Sequence, residues 1–531
     1  MNYKKLLPRI ALAIVPLTLG ALLLQGQGFG KDGPRLFAQV LQFVERHAVD
    51  SLGNTEIYEK AARGLIKGLN DPYADLYSPE QLASFQRNTL GNNYGGIGMQ
   101  IESQDGLITV TRVFPGTPGE RGGVQAGDRI LMVDSVATTG MRIADVSERL
   151  TGVAGTKVQA TFGREGVSDP IRTTFTRAVI KVPTVPYTVV LDGGIGYLPL
   201  QRFNENSAAQ FEEAVTELRR KGAKTFVIDL RGNPGGSLEQ SLKISGLFLH
   251  TGQELARVQH RGREPEVYNA YQDPIVDSTA IVVLVDNFSA SASEIVAGSL
   301  QDHDRALVVG TGSFGKGLVQ TLFPLDGGWA IKLTTGKWYT PSGRSIQGEH
   351  TQLADGRFVE YAPDSLESDS AKKARPVFKS DAGRIVYGGG GITPDVMVRQ
   401  DTLSTGEQDL LEAIGAKWPT ARSTVYAYAL ELKGSVREDF VVSQTWIDEL
   451  YRRLEAAEAA PERAMYDAHG TVLTRLFEQQ LAGLAFGDAA AFGRTVPQDR
   501  QLQTALEYLR KTSSQRELLA LAAAAIKPVS P

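Results

Sequence analysis

Apolar residues recur along this chain with three different periods. Between Arg35 and about Arg87 the period is helical, with Phe37, Val40, Leu41 and Val44 on one face, and Ser78, Pro79 and Gln81 carry the signature of a helix start. From Tyr94 to about Ile180, short β-rich stretches (Leu107–Val113, Arg129–Val133 and 158–162) alternate with glycine turns, and one helix is expected over Ile143–Leu150. That composition suits a compact β-rich binding domain. Between Gly194 and Val319, strands expected at 195–200, 225–230, 280–285 and 306–309 alternate with helices at Ser207–Arg220, 238–247 and about 292–301. The first of these helices places Ala208, Phe211, Val215 and Leu218 on one face, and Ser207 and Gln210 have capping-box spacing. Strands that are apolar throughout and alternate with helices predict a parallel sheet covered on both faces. Beyond Asp401 helical spacing dominates, as in Trp446, Leu450 and Leu454, with no cluster that suggests chemistry. A helical packing or oligomerisation region is expected there.

At 531 residues the chain is too long for one core, and usual domain sizes suggest roughly three or four folding units. Its 42% hydrophobic and 22% charged residues, with a formal net charge of -4, are those of ordinary globular protein and supply no basic surface for nucleic acid. The first segment differs. Lys4, Lys5 and Arg9 precede an apolar run over residues 10–24, the pattern of a secretory signal or short membrane anchor, which places the expected location in the periplasm or another extracytoplasmic space. The run is short for a span of ~20 residues, and Gly26 and Gly28 are loose cleavage candidates, so cleavage and anchoring both stay open. The absence of cysteine excludes disulfides, thiolate metal sites, a cysteine nucleophile and a lipidated cysteine.

In a parallel sheet, ligands bind at the carboxyl ends of the strands, which directs attention to the loops 231–236, 287–293 and 310–317. In the second, Ser291 and Glu294 have the spacing of a capping box, and a cap is the plain reading. A serine at a helix start is also placed to be a nucleophile, because free amides there favour a developing oxyanion. It needs a base. His303 lies 12 residues further on, roughly 18 Å down a helix at 1.5 Å per residue, and cannot serve. Lys316 follows the next strand, and a right-handed crossover returns the chain to the edge where Ser291 sits. Burial against Phe314, Leu318 and Val319 would lower the pKa of its amine, as a general base requires; the alternative is a solvated surface charge. Gln320, four residues on, shares a face of an extended strand with Lys316 and could orient the amine. Gly232 and its neighbours can turn bare amides toward a carbonyl oxygen, or form a plain turn. Gly310, Gly312, Gly315 and Lys316 imitate a phosphate loop, but Gly317 stands where serine or threonine would hold magnesium, and residues 318–323 read as a strand where a helix should follow.

Taken together, 231–236, the Ser-Ala-Ser-Ala-Ser-Glu run at 289–294, and 313–317 through Gln320 closely resemble the C-terminal processing proteases, or tail-specific proteases. The resemblance extends through 332–335, 339–344 and 392–395, covers about residues 72–398, and includes the 25-residue spacing from Ser291 to Lys316. It implies Ser291 as nucleophile, Lys316 as general base, Gln320 as its positioning partner, and the amides of Gly232 and Ala292 as oxyanion hole, with no metal or cofactor. It also implies a Clp protease and crotonase-like core, at 181–400, and a PDZ domain, at 91–180; with the segments read above, a signal or anchor at 1–30 and helical regions at 31–90 and 401–531, the expected chain is multi-domain α/β. In such PDZ domains the amides of the Gly96, Ile97 and Gly98 loop would hold a substrate's terminal carboxylate, while Met99 and Ile101 line an apolar pocket or belong to the core. Asp302 falls where some relatives have an aspartate needed for activity, although its place at a helix end reads as structural. One departure is Thr151, where many relatives carry a basic residue thought to couple ligand binding to activity. The expectation is an exported serine endopeptidase acting on protein substrates with apolar C-terminal tails, with an activating adaptor and a homo-oligomer as candidate partners. The rivals are a non-catalytic PDZ scaffold and an amidase or esterase with the same dyad.

Overall fold

The computed structural model describes residues 32–50, 52–86, 93–104, 107–114, 116–164, 167–348, 351–352, 358–359, 375–399 and 403–525. The charged and apolar segment at residues 4–24, with Gly26 and Gly28, lies outside them. Among the described residues no helix is long and apolar enough to cross a membrane. The chain divides into two compact units, one formed by the described residues up to Pro79 with Thr321–Thr334, the other by Glu80–Gln320 with Thr335 onward.

In the first unit, α1 (Asp32–His47) and α2 (Asn54–Lys67) precede β1 (Asp75–Tyr77), which pairs antiparallel with residues 330–332. Arg63 ties α2 to this pairing by donating to the Leu76 carbonyl at 2.9 Å and lying over the Trp329 ring. The helical spacing of Phe37, Val40 and Val44 is real, but the stripe is not buried: Leu36, Phe37, Val40 and Phe43 are all exposed.

The second unit opens with the β-rich domain. A short ladder of β2 (Asn93–Gly96) precedes a sheet of β3 (Met99–Gln104), β4 (Leu107–Val113), β5 (Arg129–Val133), β6 (Lys157–Gly163) and β7 (Ile171–Thr176), with β3 at the edge; β8 (Ala178–Lys181) returns to pair with β2. Helix α3 (Ile143–Leu150) closes the core with Val146 and Leu150 against Ile108, Val110, Ile130 and Phe162.

The next sheet has the order β9 (Val189–Leu191), β10 (Ile195–Pro199), β11 (Thr225–Asp229), β12 (Ile281–Val285), β13 (Leu307–Gly310) and β14 (Val396–Met397). All neighbours are parallel except β9 and β10. Because side chains alternate across a strand, Ile281, Val283 and Val285 enter one core while Val282 and Leu284 enter another. The first face is covered by the crossover helices α4 (Ser207–Arg220), α5 (Leu238–Gly246) and α6 (Ala292–Asp302). The Ser207 capping box does not form. Asn206 is the N-cap, the Ser207 hydroxyl bonds within the preceding turn at Arg202 and Asn204, and the Gln210 side chain accepts from Thr184 instead.

The C-terminal region is helical as expected and serves two purposes. Helices α7 (Thr405–Ile414), α8 (Trp418–Leu432), α9 (Gln444–Ala456) and α10 (Thr471–Phe486) build their own core around Leu410, Val425, Leu450, Leu454 and Phe477. The chain then continues through α11 (Asp488–Thr495) into α12 (Arg500–Arg510) and α13 (Gln515–Ala525), and these cover the second face of the parallel sheet. Leu502, Leu506, Leu509 and Leu518 meet Val227, Val282, Leu284 and Val309, and Phe492 of α11 stacks on Tyr197 at 4.1 Å.

Candidate active site

Ser291 is the N-cap of α6, at φ 54 and ψ -110. A serine rarely adopts that backbone, which costs of order 1–3 kcal/mol and persists only where the surroundings impose it. The surroundings are visible. The buried Asp286 carboxylate accepts from the Phe288 and Ser289 amides, both at 3.0 Å, and the Ser289 hydroxyl reaches the Leu230 carbonyl at 2.8 Å. The Asn233 carbonyl accepts from the Ala290 amide at 3.0 Å and from the Ser293 hydroxyl at 2.9 Å. The loop after β12 is thus fastened to the loop after β11 on both sides of Ser291.

Glu294 joins Ser291 to the third loop. Its fully buried carboxylate accepts on Oε2 from the amides of Ser291 (2.7 Å) and Lys316 (2.9 Å), so these two nitrogens lie no further apart than the sum of the two bonds. Oε1 accepts from the Ser313 hydroxyl and the Gly315 amide, each at 2.6 Å. Burial pushes this acid up to about 7, against the opposing pull of the Ser313 hydroxyl and the amides of Lys316, Gly315 and Ser291. The Phe314 amide adds a bond to the Ser289 carbonyl at 3.0 Å, and the Trp338 indole donates to the Lys316 carbonyl at 2.9 Å. Lys316 is partly buried, and among the described residues the buried Gln320 Nε2 meets no hydrogen-bond partner, a donor left open beside this loop. The capping-box spacing of Ser291 and Glu294 pointed to a helix start; that the same carboxylate would gather Lys316 was not visible in it.

The assignment of Gly232 to the oxyanion hole needs correction. Its amide donates to Asp286 Oδ1 at 3.0 Å and is not available. The glycine lying against Ser291 is Gly235, at φ 94, where an added Cβ would sit 2.6 Å from the Ala290 carbonyl oxygen and 3.0 Å from Ser291 Cβ. Only glycine fits. Among the described residues, the amides of Gly236 and Ala292 make no hydrogen bond. Arg231, just before this loop, is held by Asp229 and by Asp499 of the C-terminal region. Burial works against its charge, but the two carboxylates more than offset this and raise its pKa.

The remaining candidates separate cleanly. Asp302, at the far end of α6, binds the Ser342 amide at 3.0 Å and the buried Arg344 guanidinium at 2.7 Å, a structural role. His303 is engaged by Asp381 and the Glu254 carbonyl, each at 2.7 Å.

In the β-rich domain the carbonyl of Ile97 accepts from the Gly119 amide at 2.6 Å, and that of Gly98 from the Phe114 amide at 2.9 Å. In a trans peptide the following amide points the opposite way, so the amides of Gly98 and Met99 are each turned away from these partners. Gly98 takes φ 82 here. Gly96 ends β2, and Ile97 and Met99 are buried in the core, with Ile101 packed half-buried against it. Thr151 caps α3 through its hydroxyl on the Glu148 carbonyl at 3.2 Å, while Arg177 takes the α3 carbonyls of Arg149 (2.8 Å) and Leu150 (3.0 Å).

Known proteins are similar to this chain over both domains. Residues 194–353 match the model of peptidase family S41, and residues 109–162 match a PDZ domain model. The carboxy-terminal-processing protease of Bartonella bacilliformis is 36% identical over 316 residues, 59% of this chain and 72% of that protein. The carboxy-terminal processing protease CtpA of Bacillus subtilis is 34% identical over 340 residues, 64% of this chain and 72% of that one. A solved photosystem II D1 C-terminal processing protease covers 61% of this chain and 85% of its own at 29% identity and a TM-score of 0.36. These matches make the molecule a multi-domain α/β serine-type peptidase with a PDZ domain. The chain belongs to the C-terminal processing proteases of peptidase family S41.

Proposed function

We propose that this peptidase is an exported endopeptidase that takes apolar C-terminal tails of protein substrates on its PDZ domain and cleaves by a Ser291 and Lys316 dyad. The observation that carries the reading is the shared carboxylate: Glu294 Oε2 fastens the amides of both residues, one of them at a strained N-cap. In this mechanism the neutral Lys316 amine takes the Ser291 proton as Oγ attacks the scissile carbonyl, and Gln320 orients the amine. The Ala292 and Gly236 amides receive the oxyanion at the start of α6, where the helix dipole adds to them. Lys316 then protonates the departing amine, and water, deprotonated by the same lysine, hydrolyses the acyl-enzyme. On the PDZ domain the amides of Gly98 and Met99 would hold the terminal carboxylate and the edge strand β3 would accept the tail as an added strand.

Export is supported by the pattern of Lys4, Lys5, Arg9 and residues 10–24, and a homo-oligomer by the exposed apolar stripe of α1. The test is cleavage of casein extended by an apolar C-terminal tail, with wild type, Ser291→Ala and Lys316→Ala compared at equal fold by circular dichroism. Cutting by wild type alone is expected. Equal cutting by all three removes the dyad, and silence in all three favours the scaffold reading.

A further inference from the structure

Arg231 stands where the loop that packs against Ser291 leaves β11, and its guanidinium is fully occupied. Nε and Nη2 bond Asp229 at 3.0 Å and 2.6 Å; Nη1 and Nη2 fork onto the two oxygens of Asp499 at 2.9 Å and 2.7 Å; and Nη1 also meets Gln501 Oε1 at 3.1 Å. Asp229 is itself steadied by the Tyr197 hydroxyl at 2.7 Å. Asp499 and Gln501 lie at the start of α12, well beyond the matched peptidase segment. One residue past Arg231 the Gly232 amide meets Asp286, two residues past it Asn233 holds Ala290 and Ser293, and four residues past it Gly235 touches Ser291. A bidentate arginine-carboxylate pair fixes direction as well as distance, and the loop it fixes is short.

We infer that Asp499 is a positioning residue for catalysis: by clamping Arg231 it sets the loop that presents the Gly236 amide to the oxyanion, so the C-terminal layer of the fold forms part of the catalytic machinery. The inference rests on Ser291 as nucleophile. A loop displaced by a fraction of an ångström would leave substrate binding on the PDZ domain intact and weaken transition-state binding, which appears in kcat.

Asp499 also caps α12, its Oδ1 accepting from the Leu502 amide at 3.0 Å, and the test must keep that cap. Asn is as good an N-cap as Asp but offers Arg231 one acceptor oxygen in place of two. With a quenched fluorogenic peptide ending in an apolar tail, Asp499→Asn is expected to lower kcat about 10-fold to 100-fold and leave KM within about 2-fold, as a kcat-only loss requires. Asp499→Glu, which restores the carboxylate, should recover much of the rate. In a double-mutant cycle with Arg231→Lys the two losses should not add, because both variants break one pair. All rates are read at a temperature where each variant is folded by circular dichroism. Wild-type kcat in Asp499→Asn overturns the inference; so do a change confined to KM, equal losses in Asp499→Asn and Asp499→Glu, or additive losses in the cycle. Activity persisting in Ser291→Ala would instead sink the dyad reading, whatever Asp499 does.

Discussion

The two faces of the parallel sheet are covered in opposite ways. Helices α4, α5 and α6 arise between successive strands, so each packs near the strands it connects. Helices α12 and α13 reach the other face from the end of the chain, after an independent helical core has been built. The first face is a consequence of right-handed crossovers, which leave the connecting helix no other place. The second depends on a distant segment finding a prepared surface. The loops of Ser291 and Lys316 rise from the β-strands' carboxyl ends, one of them opening α6 on the first face, and the Arg231 pair ties the neighbouring loop after β11 to α12 on the second. Both faces therefore border the proposed site, one by covalent continuity and one by docking.

The harshest way to break that symmetry is truncation before Asp488. It would bare Val227, Val282, Leu284, Leu307 and Val309, and at about 2 kcal/mol for each buried side chain the loss of about 10 kcal/mol is comparable with the whole stability of a domain. The expected outcome is loss of soluble, cooperatively melting protein; a truncated chain that melts like wild type would show the second face to be dispensable. Single cavities sharpen the same contrast. Phe211→Ala on the first face should cost about 3–5 kcal/mol and Leu506→Ala on the second about 2–5 kcal/mol in chemical denaturation, and a loss below about 1 kcal/mol for Leu506 would mean that α12 is only loosely seated.

Glu294 sits on the first face and offers a test by pH. With its folded pKa raised to about 7 from an ordinary 4.5, the native state holds this proton more tightly than the unfolded one. Stability should therefore fall as pH rises from about 4.5 to 7 and level off above, once both states are ionised. Glu294→Gln should remove that slope and, by replacing acceptor with donor beside the Ser291 or Lys316 amide, lower kcat about 10-fold to 100-fold; an unchanged slope would assign it to another group. The smallest effect is expected at the rim, where the PDZ domain meets the helical region through Arg112 and Asp488 at 2.7 Å, both partly exposed. Asp488→Asn should change stability by less than about 1 kcal/mol, as partly exposed pairs do, and lose even that in high salt.

Where the sequence pattern is local it specifies much of the fold. The strands at Leu107–Val113 and Arg129–Val133 and the helices at Ile143–Leu150 and Ser207–Arg220 stand where periodicity put them, because a one-sided or two-sided apolar pattern is stable in only one kind of element. Proximity of the Ser291 and Lys316 loops was legible for a similar reason, since crossover handedness returns both to one edge. Gly232 was misplaced because every glycine in 231–236 can turn its amide, and only the contact with Asp286 shows which one is spent.

What the sequence determined by itself is the set of elements, the parallel sheet, and the residue types gathered at its edge, all properties of neighbours along the chain. The tertiary structure alone decided that Glu294 binds Ser291 and Lys316 on one oxygen, that Gly235 lies against Ser291, and that α12 closes the sheet and holds Arg231. Each of these is a meeting of groups far apart in sequence. No periodicity encodes it, because its energy is gained only after both partners have been placed by the packing around them.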